Sequence, residues 1–388
     1  MRALVIVLDG VGVGGAPDAA KFHDEGANTL GHLFAHREDL DLPTLFSLGL
    51  AEILNGNVAH APKNKPDASY GRMRESSPGK DTITGLWEIA GIISEKPFAR
   101  FKKFPPALIR EIEADAGVEF LGNCLQSGVA IIDELGPEHL KTGMPILYTS
   151  PDSVMQIAAH EMAMPRTRLY EVCRIASRHC NAYDIGRVIA RPFTGKPGKF
   201  TRTEGRHDYP AVPPRTILNA ISETGLRVEG VGKISTVFAR SGVTRQHVTQ
   251  SNEGALRVIE HLWNTPHHDG LIFASLTDFD TIHVPSRNLG SFAKALMQFD
   301  EWLAGFLKQV EHEDLVIITA GHGHDPTASA PGHTREEVPL ILKYDKKLEP
   351  LGIRETFADV AATLGAFFQL KEPWNTGTPL VKFQRRGR

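Results

Sequence analysis

The sequence predicts an α/β fold, a mainly parallel central sheet flanked by helices with an α/β cap inserted into it. Three observations predict it. Apolar runs without polar alternation stand at residues 4–8, 271–277 and 315–319. Strands covered by helices on both faces of a parallel sheet read this way. Helical patterns separate the runs. Each run also leads into acidic or imidazole side chains, and ligands of such sheets bind beyond the carboxyl ends of the strands.

The first run, Leu-Val-Ile-Val-Leu, passes into Asp9 and then Gly10, Gly12, Gly14 and Gly15. It is too short for the apolar core of a signal peptide, and Asp9 interrupts it, so the expected location is the cytoplasm. Residues 79–85, Gly-Lys-Asp-Thr-Ile-Thr-Gly, precede a helical Leu86-Trp87-Glu88-Ile89. The glycine spacing of a P-loop is absent. Thr82 or Thr84 is placed to cap the helix. The same position favours an anion, and beside a metal such a hydroxyl can attack phosphorus. Both readings stay open.

Residues 106–115 begin with Pro and continue with acids, as helix starts do. From about 95 to 210 the texture changes, with strand-like pieces at 130–132, 146–148 and 188–190 and two helical patterns. Because Asp9 lies before this segment and Asp280 and His322 after it, it reads as an insertion. The expected division is core 1–94, cap 95–212 and core 213–388. Surface loops accept insertions because closure entropy grows slowly with length, and inserted lids gate solvent. Between 187 and 206, Arg187, Arg191, Lys196, Lys199, Arg202 and Arg206 stand against Glu204 alone. Arginine forks match phosphate, and Pro192, Gly195, Pro197 and Gly198 shape the loop around them. Further on, Phe292, Leu296, Phe299, Leu303 and Phe306 recur at helical spacing within 289–307, a stripe that packs on the sheet.

Composition narrows the function. Over 388 residues, 43 Lys and Arg against 46 Asp and Glu leave −3, so no global basic field points to nucleic acid. A small phosphorylated molecule suits the local basic loop better. No run approaches the ~18 apolar residues of a membrane helix. Cys124, Cys173 and Cys180 form no close pair and suit a reducing compartment. Asp9, Asp280, His322 and His333, the last three brought by the second and third strand ends and the following loop, form a mixed carboxylate and imidazole set. That chemistry selects Mn²⁺ or a transition metal.

Longer motifs carry a resemblance. VIVLDGVGVGGAPDA from Val5, GANTLGH from Gly26, GKDTITG from Gly79, YTSPDSVMQIAAHE from Tyr148, GRVIARPF from Gly186, FTRT from Phe200, GKIS from Gly232, DFD from Asp278 and HTREEVPL from His333 span nearly the whole chain. In these the sequence resembles the phosphopentomutase family of the alkaline-phosphatase superfamily. The resemblance implies an alkaline-phosphatase-like core with an inserted cap and two Mn²⁺ ions at the strand ends. It also implies an isomerase whose phosphothreonine exchanges phosphate with pentose 1- and 5-phosphates through a bisphosphate. Carried over by position, Thr82 is the nucleophile and a metal contact, Asp9 and His322 hold one ion, and Asp280 and His333 hold the other. Ser150, Asp152, Arg187, Arg202 and Lys233 match positions facing sugar or phosphate.

The pattern departs from the family at four places. Pro285 stands where the family has a histidine ligand, and Gly321 where it has an aspartate, so each ion loses one protein ligand and the expectation is one or two Mn²⁺ at reduced occupancy. Leu86 replaces a histidine and Thr236 an aspartate. His283 and His324 are substitute ligands close by, although two residues along an extended strand span about 6–7 Å, more than a metal bond. Two further readings therefore accompany the mutase. One is a sugar-phosphate-binding homologue without mutase chemistry. The other is a phosphatase of the same superfamily.

Overall fold

Strand Arg2–Leu8 buries six successive side chains, Ala3 to Leu8, and all six are apolar. Only a strand covered on both faces uses residues this way. It lies inside an eight-stranded sheet whose order is Arg245–His247, Arg227–Val231, Gly270–Leu276, Arg2–Leu8, Leu315–Thr319, Val338–Lys343, Ser69–Met73 and Pro350–Arg354. The first five run parallel. Val338–Lys343 is antiparallel to both neighbours, and the last pair is parallel again. The α/β fold with a mainly parallel sheet is thus the one expected. The computed structural model describes residues 1–388 except 57, 59–64, 150–153, 267–268, 284–287, 330–331, 346–347 and 384–388.

Register positions the chemistry. Leu8 pairs with Leu276, and Val7 with Thr319, so the three central strands end level. Asp9, Asp280 and His322 follow those ends within four residues. Helix Leu289–Phe306 buries Phe292, Leu296, Phe299, Leu303 and Phe306, the expected stripe. Among the described residues, no helix is long and apolar enough to cross a membrane.

The chain divides into two compact units, Met1–Lys96 with Pro213–Arg388, and Pro97–Val212. The second unit has its own sheet, in the order Leu121–Leu125, Ile146–Thr149, Met155–His160, Arg187–Lys196 and Lys199–Arg202, with His207–Pro210 pairing Arg187–Lys196. Alternate side chains feed two cores. Leu147, Ile157 and Ala159 pack with helices Pro106–Ala116 and Arg166–Cys180. Ile146, Tyr148 and Ala158 pack with Ile131 and Ile132.

Residues 130–132 are not a strand. They belong to helix Gly128–Thr142, which Ser127 caps by accepting from the Ala130 amide. A three-residue apolar run fits either period. Here the helical spacing of Ile131, Leu135 and His139 decides, because all three turn toward the sheet or its packed fringe.

Candidate active site

Every residue of this site belongs to the larger unit. Asp9 emerges from strand Arg2–Leu8 through a turn at Gly10, whose φ of +81° favours glycine. A Cβ at Gly10 would also stand 2.9 Å from the Cβ of His324. The Asp9 carboxylate is fully buried. Its Oδ2 forms an ion pair with Lys233 Nζ at 2.9 Å, while neither oxygen has a well-aligned hydrogen-bond partner among the described residues. Burial pushes its pKa up to about 6, against the pull of the Lys233 charge. Lys233 follows strand Arg227–Val231, and its amide donates to Ser275 Oγ on the neighbouring strand. Its ammonium also lies 3.3 Å from Thr82 Oγ1 and 3.9 Å from Asp280 Oδ2.

Thr82 is the first residue of helix Thr82–Ile89, and neither threonine caps it. Asp81 does, accepting from the amides of Ile83 and Thr84 and from Thr84 Oγ1. A carboxylate at this position satisfies two orphan amides and complements the helix dipole. The Thr82 hydroxyl is thereby released, and it lies 3.2 Å from His322 Nε2. The loop before the helix is held from beneath. Glu88 accepts from the amides of Ser76 and Ser77, and Arg335 pairs with Glu75 and donates to the carbonyls of Ser77 and Gly79. Lys80 is anchored to Asp24 at 2.7 Å.

Backbone carbonyls fix two imidazole tautomers. His322 Nδ1 donates to the Gly323 carbonyl at 3.1 Å, and His333 Nδ1 donates to the Lys80 carbonyl at 3.0 Å. Each Nε2 is left with a lone pair, the state in which histidine binds metal. The two rings stack 3.9 Å apart. His333 Nε2 faces Asp280 Oδ1 at 3.0 Å. Two acceptors at that separation call for a proton or a cation between them. His324 donates from Nδ1 to the same oxygen at 2.7 Å. Burial opposes the charge on Asp280, but the hydrogen bond from His324 and the adjoining His333 imidazole hold its pKa well below the usual range. Burial, and then His333, drive His322 well below its ordinary value, so its ring is neutral.

Donor atoms of Asp280, His322 and His333 lie within 4.8 Å of one another. One carboxylate and two imidazoles fit one divalent cation. Asp9, which the family pattern pairs with His322, is not among these three. Ser150, Asp152 and Pro285 lie outside the described residues, as does the side chain of His283. Arg187 and Arg202 belong to the other unit, where Arg187 pairs with Asp208 at 3.1 Å and Arg202 donates to the Tyr148 hydroxyl at 3.2 Å.

The Metalloenzyme superfamily model matches residues 1–372. A phosphopentomutase of Caldanaerobacter subterraneus subsp. tengcongensis is 46% identical over 387 residues, covering 98% of this chain and 97% of the relative. The chain belongs to the phosphopentomutase family. The phosphopentomutase of Carboxydothermus hydrogenoformans is likewise 46% identical, over 95% of this chain and 96% of its own. Among solved structures, Leishmania mexicana phosphoglycerate mutase aligns with a TM-score of 0.47 at 10% identity, covering 98% of each chain. The protein is an isomerase of phosphopentomutase-like activity that binds a divalent metal, built on the alkaline-phosphatase-like fold.

Within that family, the departures have definite places here. Leu86 is fully buried in the threonine helix, and Thr236 is exposed. Gly321 lies against that helix so closely that a Cβ on Gly85 would stand 1.9 Å from its carbonyl oxygen. A Cβ on Gly321 itself would meet nothing nearer than 3.9 Å. Asp81, Glu88 and Arg335 were not singled out by the sequence. The signal for Arg335 lies inside HTREEVPL, a motif in which the resemblance gives a role to His333 only.

Proposed function

We propose that this protein interconverts pentose 1-phosphates and pentose 5-phosphates, with Thr82 as the phosphoryl carrier and Mn²⁺ as the metal. The observation that carries this reading is the released Thr82 hydroxyl, held between His322 Nε2 at 3.2 Å and Lys233 Nζ at 3.3 Å. In the first half-reaction the Oγ–P bond of phosphorylated Thr82 breaks, and a bond forms from phosphorus to the free hydroxyl of the pentose monophosphate. The proton of that hydroxyl ends on Thr82 Oγ1. The second half-reaction reverses these changes at the other end of the bisphosphate, regenerating phosphothreonine. Lys233 donates to Oγ1 as it gathers negative charge. A divalent cation held by Asp280, His322 and His333 supplies charge neutralisation at the transferred phosphoryl oxygens.

Substrate recognition by Arg187 and Arg202, with Ser150 and Asp152, belongs to the same proposal. Arginines crowd in the smaller unit: Arg187 and Arg206 share Asp208, and burial followed by the charge of Arg206 lowers the pKa of Arg191. Excess guanidinium charge of this kind suits a phosphate dianion. We place the reaction in the cytoplasm, where the three free cysteines stay reduced.

The test follows ribose 1-phosphate and ribose 5-phosphate by phosphorus NMR, beside mass spectrometry of the peptide containing Thr82. Interconversion with phosphate on Thr82, both lost in Thr82→Val, is expected. Release of inorganic phosphate without interconversion makes the protein a phosphatase. Binding without either reaction makes it a sugar-phosphate-binding homologue.

A further inference from the structure

We infer that this chain holds one divalent cation rather than two, with Asp280, His322 and His333 as protein ligands and the Lys233 ammonium standing where a second cation would meet Asp9 and Thr82. The inference deepens the reading of this site as a metal-dependent phosphate-transfer centre and rests on it.

Four observations converge. First, the compact donor group is Asp280, His322 and His333, and the two carbonyl-fixed tautomers leave both Nε2 lone pairs for one ion. Second, the other half of the site lacks a donor among the described residues. Asp9 and Thr82 remain, but Gly321 carries no side chain, and Lys233 Nζ lies 2.9 Å from Asp9 Oδ2 and 3.3 Å from Thr82 Oγ1. Those are hydrogen-bond lengths to an ammonium, longer than the roughly 2.0–2.2 Å of a metal–oxygen bond. Third, the charge matches. Two carboxylates and one ammonium leave a single negative charge, which one dication turns to a single positive charge. While Thr82 is unphosphorylated, a second dication would bring the total to three positive charges in a largely buried hollow. Fourth, packing does not force the loss, because a Cβ at Gly321 has 3.9 Å of clearance. The backbone at Gly321 therefore has room for the first atom of a side chain.

His324 completes the arrangement as a positioning residue. Its Nδ1–H holds Asp280 Oδ1 at 2.7 Å, the outer-shell partner that orients a ligating carboxylate.

The test uses the full chain loaded with Mn²⁺ and desalted, with metal counted by elemental mass spectrometry and its environment read by electron paramagnetic resonance. One Mn²⁺ per chain with the spectrum of an isolated ion is expected. Asp280→Asn weakens Mn²⁺ binding at least about 100-fold, whereas Asp9→Asn changes it less than about 5-fold. The double variant Gly321→Asp/Lys233→Gln takes up a second ion with a spin-coupled spectrum. Two ions in the unaltered chain, no retained ion, or loss of the ion in Asp9→Asn overturns the inference. The count on the unaltered chain decides even if a variant unfolds. Phosphate on Thr82 is measured in the same sample. One ion without phosphothreonine keeps the single-ion centre and removes the mutase reading, while two ions with phosphothreonine does the reverse.

Discussion

Lys233 and Asp9 form an ion pair 2.9 Å long, the lysine side chain one-fifth exposed and the carboxylate fully buried. Removing the ammonium leaves a buried carboxylate with neither oxygen hydrogen-bonded among the described residues. In metal-free protein, Lys233→Met should cost about 3 kcal/mol of unfolding free energy, because a buried charge loses its compensation. Asp9→Asn/Lys233→Met should recover most of that loss. Urea unfolding of the four proteins measures the cycle, and a double variant no more stable than Lys233→Met refutes the pairing.

The cap and the carrier are adjacent residues with separable roles. Asp81→Ala should cost about 1 kcal/mol, since it frees the amides of Ile83 and Thr84. Thr82→Val should change stability by less than about 0.5 kcal/mol yet abolish phosphate transfer. Thermal melts beside phosphorylation assays separate the two. A large stability loss in Thr82→Val would mean that the hydroxyl serves the fold.

Gly85 and Gly321 face each other with unequal tolerance. A Cβ on Gly85 would be driven to 1.9 Å from a backbone oxygen that cannot move freely, so Gly85→Ala should displace the threonine helix and cost about 1–3 kcal/mol. Gly321→Ala, with its nearest neighbour at 3.9 Å, should stay within about 0.5 kcal/mol of the unaltered chain. Equal losses in chemical denaturation would show that the two glycines are not distinguished by packing.

What the sequence made legible was local. Uninterrupted apolar runs located the strands, and because Leu8, Leu276 and Thr319 end near one level, polar residues just beyond them converge. The contacts among those residues depend on tertiary register instead. Thr82 meets His322 across 240 positions, and no periodicity specifies that approach. The cap is Asp81 rather than a threonine because Asp81, Thr82 and Thr84 are all capping residue types, and only backbone geometry selects among them. Arg335 and Glu88 escaped notice because a buried polar strut looks like a solvated charge until its partners are known. Residues 130–132 show the same weakness at the level of secondary structure, a run too short to carry a period.

The smaller unit carries a pH dependence of its own. His139 is buried in helix Gly128–Thr142, where Nδ1 donates to the Met144 carbonyl at 2.7 Å and Nε2 accepts from the His160 amide at 2.7 Å. Burial holds its pKa below the ordinary 6.5. A second proton would sit on Nε2 and confront the His160 amide, so the native state rejects it. Below about pH 6.5 the unfolded chain binds this proton and the native chain does not. Stability from this group is therefore full above pH 6.5 and lost as the pH falls, at no more than about 1.4 kcal/mol per pH unit. His139→Gln removes the titration. Urea unfolding of both proteins between pH 8 and 5 should show curves that run parallel at the alkaline end and converge toward acid, the unaltered protein losing more. Curves that stay parallel throughout would show that His139 keeps its solution pKa inside the fold.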